Sequence, residues 1–223
     1  MTISPSKLCD RYRRLYMPAV CDAVYSLGMP EQVLPSSLRP LFAEQRIVGT
    51  AYTVQGRPIE PHVSWDEGIE RISSYLQVFE MLPADSVLVS VNPGSHVGHF
   101  GELTGNSAQA RGCAGVILDG NLRDIEGLRE IGFQVFYRDL SPLNAIGRWE
   151  MADSQVPVSI GDVTIEPGDI VFGEFDGILI IPSAQAETVL ITAEEIVESE
   201  VLVRREMQSG GTPRESLERH GHI

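Results

Sequence analysis

Apolar and polar positions form their densest regular pattern between Ser86 and Tyr137. Ser86–Val91 reads as a strand, and a glycine loop over Asn92–Gly101 leads into a short helix, Glu102–Arg111, which Gly112 ends. A second strand over Gly115–Leu118, a polar turn over Asp119–Asp124, a helix over Ile125–Ile131 and a strand over Phe133–Tyr137 follow. Strands alternating with helices over short links imply parallel strands joined by right-handed crossovers. Loops leaving the carboxyl ends of neighbouring parallel strands lie side by side and form the usual binding crevice. The glycine loop and the polar turn should therefore share one crevice, holding Glu102, Arg123 and Asp124.

The flanks are simpler. Residues 5–28 read as two helical pieces, with Pro18 in the first turn of the second and Gly28 as its stop. Val20, Cys21, Val24 and Leu27 form the apolar stripe of that piece. A strand is expected over Ile47–Gln55, then an amphipathic helix over 64–81 with Ile69, Ile72, Leu76 and Phe79 on its core-facing side. Residues Asp139–Met151 read as a connection, Val156–Ile165 as a hairpin turning at Gly161-Asp162, and Ile170–Phe172 with Gly177–Ile181 as strands about Asp176-Gly177. A long helix is expected over 184–207, and a polar, frayed tail over 209–223. The chain shows no repeat or linker. A single domain with a core over 47–182, and a layered α/β sandwich, is the simplest reading.

Composition narrows the function classes. The formal charge of −14, from 17 basic and 31 acidic side chains, disfavours a nucleic-acid partner, because phosphate binding needs a basic face. An anionic small substrate stays open, since one local Arg can override a distant field. The three cysteines, Cys9, Cys21 and Cys113, lack metal-ligand spacing and read as free thiols. With no signal-peptide pattern and no bilayer-length apolar run, a soluble cytoplasmic protein is expected.

The chemistry concentrates in the central loops. Gly101, Glu102, Leu103 and Thr104 open a helix, where unpaired N–H groups favour a carboxylate or phosphate. Arg123 is a forked donor for a carboxylate or an enolate oxygen. Asp124 is a hard oxygen ligand suited to Mg²⁺ or Mn²⁺, and Glu102 across the crevice could accept a proton. Plainer roles compete: the helix dipole alone favours Glu102, and an Asp before a helix is commonly its N-cap. His96 and His99 suit structural or solvent-facing roles better than metal ligation, Ser95 and Ser107 lack a base partner, and Cys113 reads as a small buried hydrophobe.

A family resemblance adds to this. Gly101-Glu-Leu, followed by the run from Ala108 to Arg123-Asp124 containing Gly115-Val-Ile-Leu-Asp-Gly-Asn-Leu, resembles the core signature of one family. That family comprises the 4-hydroxy-4-methyl-2-oxoglutarate/4-carboxy-4-hydroxy-2-oxoadipate aldolases and the regulator of ribonuclease activity A. Asp22-Ala23 with Leu27-Gly28, Val48-Gly-Thr-Ala, Pro167-Gly-Asp and Asp176-Gly-Ile-Leu-Ile-Ile-Pro182 extend the likeness over roughly residues 18–207.

The resemblance implies an α/β/β/α sandwich of the swivelling phosphohistidine-domain type, assembled as homotrimers or hexamers with sites between subunits. It implies that Asp124 binds the metal, that Arg123 holds pyruvate and its enolate, and that the backbone around Gly101, Leu103 and Thr104 binds the pyruvate carboxylate. An acidic residue, often Asp, stands in relatives where this chain has Glu102, one methylene longer. Glu200 matches an acidic residue of the C-terminal helix that reaches a neighbour's site, with Glu198 as the other candidate. Glu174 stands where many relatives have Asp and reads as a structural change. Two functions follow: a metal-dependent lyase releasing pyruvate from a 4-hydroxy-2-oxo acid, with oxaloacetate decarboxylation alongside, or a non-catalytic inhibitor of a ribonuclease. A third is an enzyme on the same scaffold acting on a different oxo acid or sugar acid, since His96, His99 and Arg57 could reshape the pocket for the variable half of a substrate.

Overall fold

The computed structural model describes residues 3–220. Helices α1 (Pro5–Tyr12) and α2 (Met17–Ser26) lead into β1 (Arg39–Pro40), the long β2 (Ile47–Pro58) and α3 (Trp65–Met81). The central block follows as β3 (Ser86–Val91), β4 (Gly98–Phe100), α4 (Glu102–Ala110), β5 (Gly115–Leu122), α5 (Ile125–Glu130) and β6 (Val135–Leu140). The rest is β7 (Trp149–Ser154), the hairpin β8 (Val158–Ile160) and β9 (Val163–Ile165), the hairpin β10 (Ile170–Glu174) and β11 (Gly177–Ile181), α6 (Ala186–Gln208) and α7 (Pro213–His220).

One sheet runs in the order β1-β6-β5-β3-β2-β10-β11, with β4 added beside β5 and β7 beside β2. Strands β2, β3, β5 and β6 are parallel, as the short helical links require. Side-chain alternation sorts the core into three interfaces. Leu88, Val116 and Leu118 pack under α3, α4 and α5. Val87, Val89 and Ile117, one residue out of phase, meet Val171, Ile178, Ile180 and the β8–β9 hairpin inside the curled sheet. Phe172, Leu179 and Ile181 face α1, α2 and α6. The order is therefore helices, sheet, sheet, helices, as expected.

Strand β2 joins the two halves. Its first residues pair antiparallel with β10, and Thr50 to Gln55 pair in parallel with β3. Along one face, Val48 packs with α1, α2 and α6, whereas Tyr52 and Val54 pack with α3.

Several expectations are corrected. Helix α3 buries Gly68, Tyr75, Val78 and Phe79 and leaves Ile69 and Leu76 about half exposed. A Cβ at residue 68 would lie 2.3 Å from the Gly147 nitrogen, so the close approach of that loop decides which face turns inward. Leu27 is also exposed. The turn expected at Asp119 is strand, because β5 continues to Leu122 between β4 and β6. The connection at 139–151 contains the end of β6 and the start of β7. The polar tail forms α7, which buries Ser216, while residues 221–223 lie outside the described part.

Helix α1 is fastened to the sheet through Arg13, which donates to Asp85 Oδ1 at 2.6 Å and to the Val48 carbonyl at 3.0 Å. The Arg13 hydrogen bond, helped by one from Ser6, holds the Asp85 carboxyl below its ordinary value. Both side chains are about one-third exposed, so Arg13→Ala should cost about 1 kcal/mol, or roughly 2–4 °C in Tm. The folded pKa of Asp85 is depressed, so this contribution is present above the ordinary value of 3.8 and is lost as pH falls through the folded one. Thermal melts at pH 7 and pH 3 should show the wild-type advantage shrinking in acid.

Candidate functional site at the β4–β5 edge

Strands β3 and β5 are adjacent and parallel, so the loops leaving their carboxyl ends do meet. Strand β4 lies along the far end of β5, and the Arg123 N–H donates to the Phe100 carbonyl at 3.1 Å. Two glycines permit this contact. A Cβ on residue 98 would sit 2.9 Å from Arg123 Cβ, and one on residue 101 would sit 2.5 Å from Asp124 Oδ2. The glycine loop is therefore the surface against which Arg123 and Asp124 lie.

Asp124 occupies the N-cap position of α5 but does not cap it. Its backbone is left-handed, with φ 55° and ψ 44°, and its carboxylate makes no hydrogen bond to the helix. A non-glycine residue pays for that conformation, and the usual compensating cap bond is missing. The carboxylate instead lies beside Arg123, with Nε 3.3 Å from Oδ2. The N-cap role left open by the sequence is thus not the one the residue plays.

Glu102 begins α4 and accepts a hydrogen bond from Asn106 Nδ2, one turn along. A Cβ at Gly127 would fall 2.6 Å from Glu102 Cγ, so Glu102 lies over the first turn of α5. Glu102 and Asp124 line one cleft of about 550 Å³ together with Glu126 and Glu130. Asp124 also lines a second cavity of about 270 Å³, with Gly101, Leu103, Thr104 and Arg123. The helix opening offers fewer free donors than expected, because the Gly101 N–H donates to Thr104 Oγ1 at 3.0 Å. The backbone of Glu102, Leu103 and Thr104 remains without intrahelical acceptors, since the first helical bond runs from the Gly105 N–H to the Gly101 carbonyl.

Other candidates lie elsewhere. Glu200 sits on α6, in the helical layer across the sandwich, where it accepts a hydrogen bond from the Tyr16 hydroxyl and lies 3.5 Å from Arg204 Nη2. Glu198 is exposed on the same helix. Glu174 accepts from the Met17 N–H at 2.9 Å and pairs with Arg46, a structural role. Arg57 pairs with Glu150 on β7 at 2.7 Å, apart from these cavities. His96 is exposed, and Cys113 is buried with its thiol pKa raised by burial.

Sequence reasoning missed the polar network behind the site. The indole N–H of the buried Trp149 donates to Asn92 Oδ1 at 2.9 Å, which fixes the amide so that Nδ2 donates to His99 Nε2 at 3.0 Å. His99 Nε2 must then carry the lone pair and Nδ1 the proton. Nδ1 is buried without a hydrogen-bond partner, the Val97 carbonyl beside it being out of hydrogen-bond geometry. The ring stacks on Trp149 at 4.6 Å. A buried Trp whose N–H needs an acceptor was the one available signal.

The fold and the site together define a mixed α/β protein with a cationic fork and a carboxylate set against a helix N-terminus. The chain belongs to the RraA-like family, whose model, described as Aldolase/RraA, matches residues 17–180. Family members include aldolases and RraA regulators. The chain is 29% identical over 200 residues to protein DlpA of Legionella pneumophila, aligning with 89% of this chain and 31% of that protein, less than a third of DlpA's length. It is 29% identical over 185 residues to a Halalkalibacterium halodurans protein named "Putative 4-hydroxy-4-methyl-2-oxoglutarate aldolase", covering 83% of this chain and 81% of that one. Streptomyces coelicolor RraAS2, described as an unusual member of the RNase ES inhibitor RraA protein family, superposes with a TM-score of 0.77 at 25% identity, over 92% of this chain and 98% of that one. No described helix is long and apolar enough to cross a membrane.

Burial lowers the pKa of His99 from 6.5 to about 3. A histidine held neutral in the fold but free to protonate when unfolded favours folding above pH 6.5, and that contribution fades as pH falls toward 3. Denaturant unfolding between pH 7 and pH 5, above most carboxylate titration, should show falling stability in the wild type and a flatter profile in His99→Phe.

Proposed function

We propose that this chain is a divalent-metal-dependent lyase that cleaves a 4-hydroxy-2-oxo acid to pyruvate. The observation that carries the reading is Asp124, left-handed and uncapped, with its carboxylate beside Arg123 and on the same cleft as Glu102. Strained backbone of this kind gathers at functional sites.

Glu102 and Asp124 are hard oxygen donors, and the cleft they share is lined by no thiolate or imidazole among its described residues, which suits Mg²⁺ or Mn²⁺ keeping most of its waters. Among the described residues no group of three or more His, Cys, Asp or Glu is placed to hold an ion, so we assign the ion one direct protein ligand, Asp124, with Glu102 supporting it. When bound, the ion would polarise the 2-oxo group. The residues do the rest. The Leu103 and Thr104 N–H groups receive the substrate carboxylate, and the Arg123 guanidinium holds the 2-oxo oxygen and the charge that grows on it. Glu102 takes the proton of the 4-hydroxyl, the C3–C4 bond breaks, and its electron pair enters the enolate. Glu102 then returns the proton to C3, leaving pyruvate and a carbonyl product. Oxaloacetate would lose CO₂ to give the same enolate.

The likeness to RraAS2 supports the other reading, a regulator that binds a ribonuclease. Binding alone gives no reason for a strained acidic residue beside a glycine cradle, so the lyase is favoured. We extend the proposal to assembly: Leu103, 76% exposed at the cavity mouth, and the exposed α3 face at Ile69 and Leu76 support a homotrimer or hexamer that completes the site, to which Glu200 would reach from a neighbour.

Pyruvate release from oxaloacetate should require Mg²⁺ or Mn²⁺ and stop with EDTA. Arg123→Ala should lower kcat by about 10²–10³-fold with an unchanged circular-dichroism spectrum. Full activity in EDTA and in Asp124→Ala would overturn the metal assignment, whereas no pyruvate release from a folded protein would move the assignment to a binding protein. Gel filtration should give a multiple of three subunits; a monomer would contradict the shared site.

A further inference from the structure

In the reaction proposed above Glu102 is the proton acceptor, a role that needs a carboxylate held in one place. A glutamate side chain has three rotatable bonds, and a base misplaced by about 1 Å loses much of its effect. Contacts on two helices remove that freedom. A Cβ at Gly127 would lie 2.6 Å from Glu102 Cγ and 2.9 Å from Glu102 Cβ, so the stem of Glu102 rests on the α5 backbone. The head is held from α4 itself. Asn106 Nδ2, one turn along, donates to Glu102 Oε1 and to the Glu102 carbonyl oxygen at 3.2 Å. Both atoms facing that nitrogen are acceptors, so the amide has one favourable orientation, and its oxygen in the same place would be repelled twice. The bond engages Oε1 and leaves Oε2 as the oxygen that receives a proton.

Helix α4 gains nothing locally from an asparagine there. Residue 106 is exposed and lies in the middle of the nine-residue helix. Asparagine is among the weaker helix formers, because its amide competes for backbone hydrogen bonds, and alanine would serve the helix better. The site gives the residue its use. Asp124, Glu126 and Glu130 line the same cleft as Glu102, and their like charges push its carboxylate away from them. A donor on the same helix holds the carboxylate against that push.

We propose that Asn106 is a positioning residue for Glu102: it holds the carboxylate where Oε2 takes the proton of the substrate 4-hydroxyl. This deepens the lyase reading and rests on it. Asn106 itself touches neither substrate nor ion, and it acts only through Glu102.

Two substrates separate this role from a structural one. Cleavage of 4-hydroxy-4-methyl-2-oxoglutarate passes the hydroxyl proton to Glu102 as the C3–C4 bond breaks. The electron pair enters the enolate, C3 is protonated, and two pyruvates leave. Oxaloacetate has no such proton to remove: its C3–C4 bond breaks with loss of CO₂, and water supplies the proton for C3. At saturating Mg²⁺, Asn106→Ala should lower kcat for the hydroxy acid about tenfold, in the range of one hydrogen bond to a charged group, with KM little changed. Oxaloacetate decarboxylation should change by no more than about twofold, because it bypasses the base. Asn106→Gln, which keeps an amide donor, should recover part of the loss. In Glu102→Ala the further change Asn106→Ala should have no effect, as two residues acting as one unit require. Alanine favours the helix, and an unchanged circular-dichroism spectrum checks the fold. Equal losses on both substrates, or an unaltered cleavage rate, would overturn the proposal and spare the lyase reading. No pyruvate from either substrate with the wild type would remove both.

Discussion

The close approach of the Gly98–Gly101 backbone to Arg123 and Asp124 is the contact on which the site depends. Parallel pairing of β3 with β5 brings the two loops to the same edge, but only to within ordinary loop distance. The rest of the approach comes from β4, a three-residue strand that pairs with the end of β5 and lays Gly98, and Gly101 just past it, against the two charged side chains. Any Cβ at residue 101 would occupy the space of the Asp124 carboxylate. The strained backbone of Asp124 and the glycine beneath it are thus two parts of one arrangement. Each side would be locally cheaper with another residue, and neither substitution leaves the carboxylate where it is.

Behind that surface the protein spends polar groups freely in its interior. Ser90, Asn92, His99 and Trp149 form a chain of hydrogen bonds under the loop, sealed by the Trp149 and Tyr75 rings. Such a network is worth having only if its members are held in one arrangement, and the donor-only indole supplies that direction. It stiffens the floor of the loop without contributing a charge.

Much of this was legible in the sequence, and the parts that were not have identifiable causes. The central strands and helices were readable because apolar runs, short links and glycine stops agree with one another from Ser86 to Tyr137. The inward face of α3 was not readable, because several faces of that helix carry apolar residues and the choice is made by Gly68 meeting Gly147. Strand β7 and helix α7 were missed for the opposite reason. Helix α7 is mostly polar and β7 only half apolar, and they form because α6 and β2 offer a surface and an edge to pack on. Asp119-Gly-Asn resembles a turn; pairing of Asp119 with β3 and of Asn121 with β4 and β6 keeps it in the strand. At the site, the types and spacing of Glu102, Arg123 and Asp124 were evident, whereas the left-handed backbone of Asp124, the capture of the Gly101 N–H by Thr104 and the tautomer of His99 are three-dimensional facts.

Strand β2 has a consequence for the molecule as a whole. Its twelve residues give their first part to the sheet half that packs on α1, α2 and α6 and their remainder to the half that packs on α3. No cut through the layers divides the protein into two self-sufficient pieces, because each piece would need the same strand. Local opening can reach the outer helices and the edge strands, but loss of β2 exposes all three interior interfaces at once. The four layers should therefore be gained and lost together, as one cooperative unit.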